Sequence, residues 1–261
     1  MKSKIALITG PDLRHRYFVN RLNREFSIEC VFLEEVTYPN FTPGLPKHRE
    51  AWEWFFRRRK EYEQNTFADS ELWARKNQPQ IIPIATGQLN STNTLKTLQA
   101  QQPEIIILFG SSLIGREIMD RFPNRIINLH VGLSGEYRGS SCNFWPIYDG
   151  RLDCLGATLL RINAGIDTGE ILAQGTIEVE KGDAEQSLMG KPLILGMDLT
   201  IQVVHQWFQG DWAPLPLEQN GKLFLKKDFT PEAVSKVKEM LESGHLTSLI
   251  KEHLQGEKNI T

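Results

Sequence analysis

The sequence predicts an α/β fold built on a mostly parallel sheet, and three observations carry that expectation. Short β-rich runs alternate with amphipathic stretches, as in βαβ units. The run Ile105-Ile106-Ile107-Leu108-Phe109 is continuously apolar, which suits a central parallel strand covered by helices on both faces. At 261 residues and 40% apolar content, the chain has room for one large domain and an appendage.

The elements follow in order. Residues 5–9 open the sheet, residues 14–26 form a first amphipathic helix, and residues 28–33 return as a second strand. After a long interval come strand-like runs at 81–84, 105–109 and 126–129, then at 155–162 and 171–179. Residues 184–208 read as a helix with Leu188, Leu195, Leu199 and Val203 roughly on one side. The sheet domain is therefore expected to span 1–210, with 211–261 as a small C-terminal extension.

Two regions depart from the alternation. Between 46 and 76, Trp52, Trp54, Phe55 and Phe56 precede the basic run Arg57-Arg58-Arg59-Lys60. Aromatic residues beside basic ones can bind phosphorylated ligands or nucleic acid, but a long helix with its rings packed down and its arginines solvated is the favoured reading. In the extension, Trp212-Ala213-Pro214-Leu215-Pro216-Leu217 suggests an extended crossing, 221–224 a short strand and 230–243 one helix. Thr230-Pro231-Glu232 supplies its cap and first turn, and Gly244 its stop.

A net charge of −2 leaves no general electrostatic footprint for nucleic acid, so none is expected as a partner. Cys30, Cys142 and Cys154 are an odd number without metal-ligand spacing, and no metal is expected. A reducing cytoplasm fits them best. The apolar run after Met1-Lys2-Ser3-Lys4 is too short for a signal peptide, and no run reaches membrane-spanning length.

Chemistry concentrates around three residues. In Ile126-Ile127-Asn128-Leu129-His130, strand alternation turns Asn128 and His130 to one face when Ile127 and Leu129 face the core. The glycine-bracketed turn Asn163-Ala164-Gly165-Ile166-Asp167-Thr168-Gly169 can return a carboxylate beside the imidazole. An amide, an imidazole and a carboxylate can run acyl transfer. Residues 132–141 are rich in glycine and serine, and are expected to form a mobile loop bordering the site. Cys142 invites a nucleophile reading, but a small packing residue is favoured.

These residues carry a resemblance. Asn128-Leu129-His130, Tyr137-Arg138-Gly139, Trp145-Pro146-Ile147, Gly150, Gly156-Ala157-Thr158, Ile166-Asp167-Thr168-Gly169 and Ile171-Leu172-Ala173-Gln174 resemble the folate-dependent formyltransferases. That family includes methionyl-tRNA, glycinamide ribonucleotide and nucleotide-sugar N-formyltransferases. Specific matching runs over 105–188, and a looser one reaches back to Lys4. The resemblance implies a Rossmann-like, doubly wound sheet, and a catalytic domain over 1–210. A nicotinamide site is disfavoured separately, since Thr9-Gly10-Pro11-Asp12 lacks the G-x-G-x-x-G turn.

The resemblance further implies N10-formyltetrahydrofolate as formyl donor and a small-molecule amine as acceptor, a nucleotide-activated amino sugar being the leading guess. Asn128, His130 and Asp167 fall at the catalytic positions. Phe109, Gly110, Ser111, Asn163 and Ile166 are expected around the pterin. Tyr137 and Arg138 are expected toward the acceptor, where Arg138 can meet a phosphate or carboxylate, or instead pin its loop to backbone carbonyls. Where the family usually reads Ser-Leu-Leu-Pro, this chain has Gly132-Leu133-Ser134-Gly135, which puts the acceptor pocket in doubt. A tRNA acceptor is disfavoured, because only about fifty residues follow Gly210. The rivals are a formyltetrahydrofolate hydrolase and a non-catalytic folate-binding protein.

Overall fold

Burial on both faces sets the middle of the sheet, where β1 (Ile5–Thr9) is covered along its whole length. In the computed structural model, which describes residues 4–35, 44–68 and 78–258, α1 (Leu13–Glu25), β2 (Ile28–Glu34), α2 (Pro46–Thr66) and β3 (Gln80–Ile84) follow it. Next come α3 (Thr92–Gln101), β4 (Ile105–Phe109), α4 (Arg116–Arg121), β5 (Ile126–His130), β6 (Tyr137–Gly139) and α5 (Trp145–Asp149). The chain continues through β7 (Gly156–Arg161), β8 (Glu170–Thr176), α6 (Glu185–Gln209), β9 (Lys222–Phe224), α7 (Pro231–Glu242) and α8 (His245–Lys258). The expected leader reading at Met1 to Ser3, and the far end of the 46–76 region, lie outside the described residues.

Seven strands form one mixed sheet in the order β3-β2-β1-β4-β5-β7-β8. The first five run parallel, while β7 and β8 run antiparallel at one side. One face buries Leu7, Ile107, Ile127, Leu129 and Leu159 under α1 and α6. The other buries Ala6, Ile8, Ile106, Leu108 and Ile126 under α3 and α4. This is the doubly wound arrangement, with continuous apolar strands because each must satisfy two helix layers. The chain turns from the β1-β2-β3 wing to the β4-β5 wing beside β1, and in such sheets a crevice opens past the strand ends at that point.

Three sequence expectations change. The helix over 184–208 exists, but its fully buried stripe runs through Leu193, Gly196, Met197, Thr200, Val203 and Val204, with Leu195 and Leu199 only half-buried. The missed anchor is Gly196, where a Cβ would stand 2.4 Å from Leu129 Cδ1, so the helix and β5 approach closely there. By length and composition α6 could cross a membrane, yet it packs across β5, β7 and β8. Next, the extension holds two helices rather than one, because Gly244, at φ +78, ends the α7 turn and α8 begins at once.

The third change concerns the extension's packing. Val234, Val237, Leu246 and Ile250 from α7 and α8 share one apolar cluster with Phe55 of α2, Phe144, Trp145 and Leu188. β9 pairs in parallel with β6, Arg138 opposite Leu223, so the extension is stitched to the loop that follows β5.

Candidate active site

Strand alternation turns Asn128 and His130 to the same face, as expected, because Ile127 and Leu129 are claimed by the α1–α6 core. Asn128 stands opposite Leu108 of β4 and Leu160 of β7, and His130 opposite Thr158. Asp167 returns to them across the sheet end: its Oδ1 accepts from Asn128 Nδ2 at 3.0 Å, and its Oδ2 lies 3.2 Å from His130 Nδ1. The Gly139 N–H also donates to Oδ2, at 2.9 Å. Since a carboxylate only accepts, the Asn128 amide must present its nitrogen to it.

His130 is buried, and its Nε2 sits 2.9 Å from the Tyr137 carbonyl. A carbonyl also only accepts, so Nε2 carries a hydrogen and Nδ1 is the ring position that faces the carboxylate. Asp167 adopts φ +50, a left-handed conformation that strains a non-glycine residue by about 1 kcal/mol or more. Asn163 supports that turn: its Oδ1 accepts from Gly165 N and Thr168 Oγ1, and its Nδ2 donates to the Thr168 carbonyl at 2.9 Å.

The 132–141 segment is pinned rather than loose. The Thr158 hydroxyl donates to the Gly132 carbonyl at 2.7 Å, Gly221 N donates to the Ser134 carbonyl, and Ser134 is fully buried. Glycine at 132 serves close approach, since a Cβ there would stand 2.7 Å from His130 Nε2 and 2.6 Å from Cys142 Cβ. Cys142 is buried beside Asp167, and burial first, then that carboxylate, pushes its thiol well above the usual range, which suits packing and not nucleophilic attack.

These groups open onto a cavity of about 710 Å³. Phe109, Gly110, Ser111, Asn163 and Ile166 all line it, on the side formed by the end of β4 and the 163–169 loop. The structure does not bring the other two sequence-predicted residues into its lining. Tyr137 is buried, stacked on Phe224, and its hydroxyl donates to Asp149. Burial and the Asp149 carboxylate push its phenol far up. Arg138 donates from Nε to the Gly221 carbonyl at 2.8 Å and from Nη1 to the Ile166 carbonyl at 3.2 Å, so it fastens β6, the extension and the Asp167 loop together. The loop-pinning alternative describes its contacts, because β9 arrives to supply the carbonyl.

On the opposite side, the sequence reading favours packed rings and solvated arginines for the α2 run over ligand binding, and does not single out Arg14 or His15. There the cavity is lined by Arg14 and His15 of α1, Trp52, Phe56 and Arg59 of α2, Met189 and Leu193 of α6, and Phe229. His15 lies beside the β1–β4 switch, with Phe109 edge-on at 4.9 Å, and its Nδ1 has no hydrogen-bond partner. Burial first, then the Arg14 and Arg59 charges, holds its imidazole well below the ordinary range, so the ring is neutral at neutral pH. The signal for α2 was present at the spacing of Trp52, Phe56, Arg59 and Glu63, which places them along one helix face.

Comparison with known proteins agrees with this architecture. The formyl transferase family profile matches residues 59–204, more than half of the chain, and the chain belongs to that family. Among curated proteins it is 31% identical over 154 residues to the methionyl-tRNA formyltransferase of Thermodesulfovibrio yellowstonii, covering 56% of this chain and 49% of that protein. The chain spans about half the length of the curated relatives it matches. Among solved structures, a sugar N-formyltransferase from Shewanella superposes with a TM-score of 0.58 at 14% identity, over 87% of this chain and 78% of that one. An N-formyltransferase from Helicobacter canadensis, solved with folinic acid and dTDP-3-aminofucose, gives 0.56 at 15% identity over 90% and 79%.

Proposed function

We propose that this chain moves a formyl group from N10-formyltetrahydrofolate to a primary amine of a small acceptor, a nucleotide-activated amino sugar being the leading candidate. The observation that carries this reading is the hydrogen-bonded set of Asn128, Asp167 and His130 facing a large cavity at the strand ends. The donor side fits a pterin: Leu108, Phe109, Ile162 and Ile166 give it apolar walls, and Gly110 lines it at φ +69, with the His15 ring seated where its Cβ would be. The acceptor is the less constrained half of the proposal. Curated relatives of matching sequence act on methionyl-tRNA, whereas solved neighbours of the same fold include sugar N-formyltransferases.

When bound, the donor supplies an activated formyl carbon. Attack by a neutral amine builds negative charge on oxygen and positive charge on nitrogen, so the site needs a hydrogen-bond donor and a proton acceptor. Asn128 gives one amide hydrogen to Asp167 and keeps a second for the developing oxyanion. The amine proton passes to the Asp167–His130 pair, where Oδ2 and Nδ1 face each other at 3.2 Å while the Nε2 hydrogen stays on the Tyr137 carbonyl. The carboxylate, fixed by Gly139 N–H, holds that proton in the pair, and it is returned to the folate nitrogen as the bond from that nitrogen to the formyl carbon breaks.

Tetrahydrofolate release, measured with and without a panel of nucleotide-linked amino sugars, tests the reading. Slow release in buffer that accelerates many-fold with one amine is the expected result. Fast release indifferent to amines would replace transfer by hydrolysis. No release with any amine, with folate still bound, would leave a binding protein.

A further inference from the structure

The wall opposite the Asp167 loop combines rings and a held cation in one place. Trp52 and Phe56 are 4.8 Å apart between ring centroids, and Phe229 meets Trp52 at 5.5 Å and Phe56 at 6.5 Å, every pair inclined. Phe55 lies behind them, fully buried, and fixes the corner from the core side. Phe56 nevertheless keeps 38% of its surface exposed, at the cavity rim beside Leu225, which keeps 40%. Large apolar groups left open inside a concave, polar-rimmed site mark a ligand-binding surface.

One turn along the same face of α2 stands Arg59, which also lines the cavity. Its Nε donates to Glu63 Oε1 at 3.1 Å, and Glu63 in turn accepts from the buried Arg14 at 2.8 Å. A largely buried carboxylate held between two guanidiniums fixes Arg59 at the edge of the aromatic corner, at low entropy cost for any anion it meets. Deeper in, the unpartnered Nδ1 of neutral, buried His15 supplies a further polar group among the cavity residues.

The family profile covers 59–204; the aromatic corner falls outside it, with Trp52 and Phe56 before and Phe229 after, while Arg59 stands at its first position and Met189 and Leu193 lie within it. The residues that face the donor side fall inside the match. The aromatic corner is thus built from segments apart from the donor-side residues, which leaves it for the second substrate. We infer that Trp52, Phe56 and Phe229 form a stacking subsite for a flat ring on the amine acceptor, and that Arg59 takes an anionic group attached to that ring's substituent. Ring stacking on such a platform contributes through π-faces of any base or arene, and the guanidinium adds charge selectivity. The inference rests on the proposed transfer reading, since it assigns the ring to the acceptor, but the surface itself is tested without turnover.

The shared ligand chemistry is a flat ring with an attached anion, and two sources supply it. Uridine diphosphate and thymidine diphosphate represent the nucleotide source, and 4-aminobenzoate the simple aromatic amine. Tryptophan emission of the full chain, titrated with each probe, should show saturable quenching that is lost in Trp52→Phe only in its Trp52 contribution. Affinity measured by calorimetry should fall about tenfold or more in Phe56→Ala, at a ring 38% exposed, with a melting curve confirming the fold. Arg59→Gln should weaken the charged probes by a similar factor while leaving uridine and thymidine unchanged. Binding of a diphosphate alone assigns the ring to a nucleobase, whereas binding of the benzoate alone, which is the arene of the folate donor itself, overturns the assignment of the subsite to the acceptor. Failure of every probe, or equal affinities in wild type and Phe56→Ala, overturns the subsite. A folate titration run alongside separates the two proposals: probe binding without folate binding would sink formyl transfer and leave the subsite standing.

Discussion

At the floor of the cavity, Asn128, His130 and Asp167 hold one another at 3.0 and 3.2 Å on backbone set by β5 and the 163–169 loop. At its outer wall, Trp52, Phe56 and Phe229 meet ring to ring, and they come from a helix between β2 and β3 and from a segment after β9. The floor is directional, because hydrogen bonds weaken steeply away from their preferred distances and angles. The wall is held by apolar packing, which can accept a range of shapes at modest cost. A site divided in this way can keep one reaction while its second substrate varies.

The comparison breaks most sharply at the floor. His130→Ala and Asp167→Ala should each reduce turnover about a hundredfold or more in protein that still melts as a folded chain. Steady-state tetrahydrofolate release with a responsive amine, beside a melting curve, makes the check. Near-normal rates in both variants would remove these residues from the chemistry and reduce the floor to scaffolding.

A second substitution asks whether the wall's support belongs to the same folding unit as the sheet. Leu246 of α8 is fully buried in the cluster it shares with Phe55, Phe144 and Trp145. Leu246→Ala should cost about 2 to 3 kcal/mol in a single unfolding transition. Urea denaturation followed by far-ultraviolet circular dichroism and by tryptophan emission should move together. Two separated transitions would make residues 211–261 an independent appendage.

The floor was legible because its signals are local. Alternation in five residues co-orients Asn128 and His130, and the glycines around Asp167 announce a turn. The central strand was legible for the same reason, since a run of five apolar residues fits two covered faces. Arg138 was read toward a ligand because its nearest partner in the fold, the Gly221 carbonyl, is 83 positions away and carries no side-chain signature. The aromatic run in α2 divided in a way that periodicity alone does not settle: Phe55 went to the core, while Trp52 and Phe56 turned to the cavity, because α7 packs on one flank of the helix. Likewise Leu195 and Leu199 looked like the α6 seam, but the close contact at Gly196 rotates the buried stripe.

The smallest expected effect lies where floor and wall meet, at His15. Its ring is seated against Gly10 and Gly110, where Cβ atoms would stand 2.8 and 2.4 Å from its nitrogens, and it is 5% exposed. Asp12 Oδ2 is 4.0 Å from Nδ1 and would favour a charged ring, but Arg14 also binds that oxygen, and Arg59 adds a second positive charge. Burial and the two cations therefore win, and the folded imidazole resists protonation. In the unfolded chain the same histidine takes a proton near pH 6.5. Above that pH both states are neutral and His15 adds no pH dependence. As pH falls below it the unfolded chain gains a proton that the folded chain does not, so stability declines until the depressed folded value is reached. His15→Phe keeps a flat ring against Phe109 and removes the titration. Urea midpoints of wild type and variant should keep a constant gap between about pH 7.5 and 6.5 and drift in the variant's favour toward pH 5. Parallel curves over the whole range would mean that His15 opens to solvent on protonation, and that the boundary between floor and wall is softer than its packing indicates.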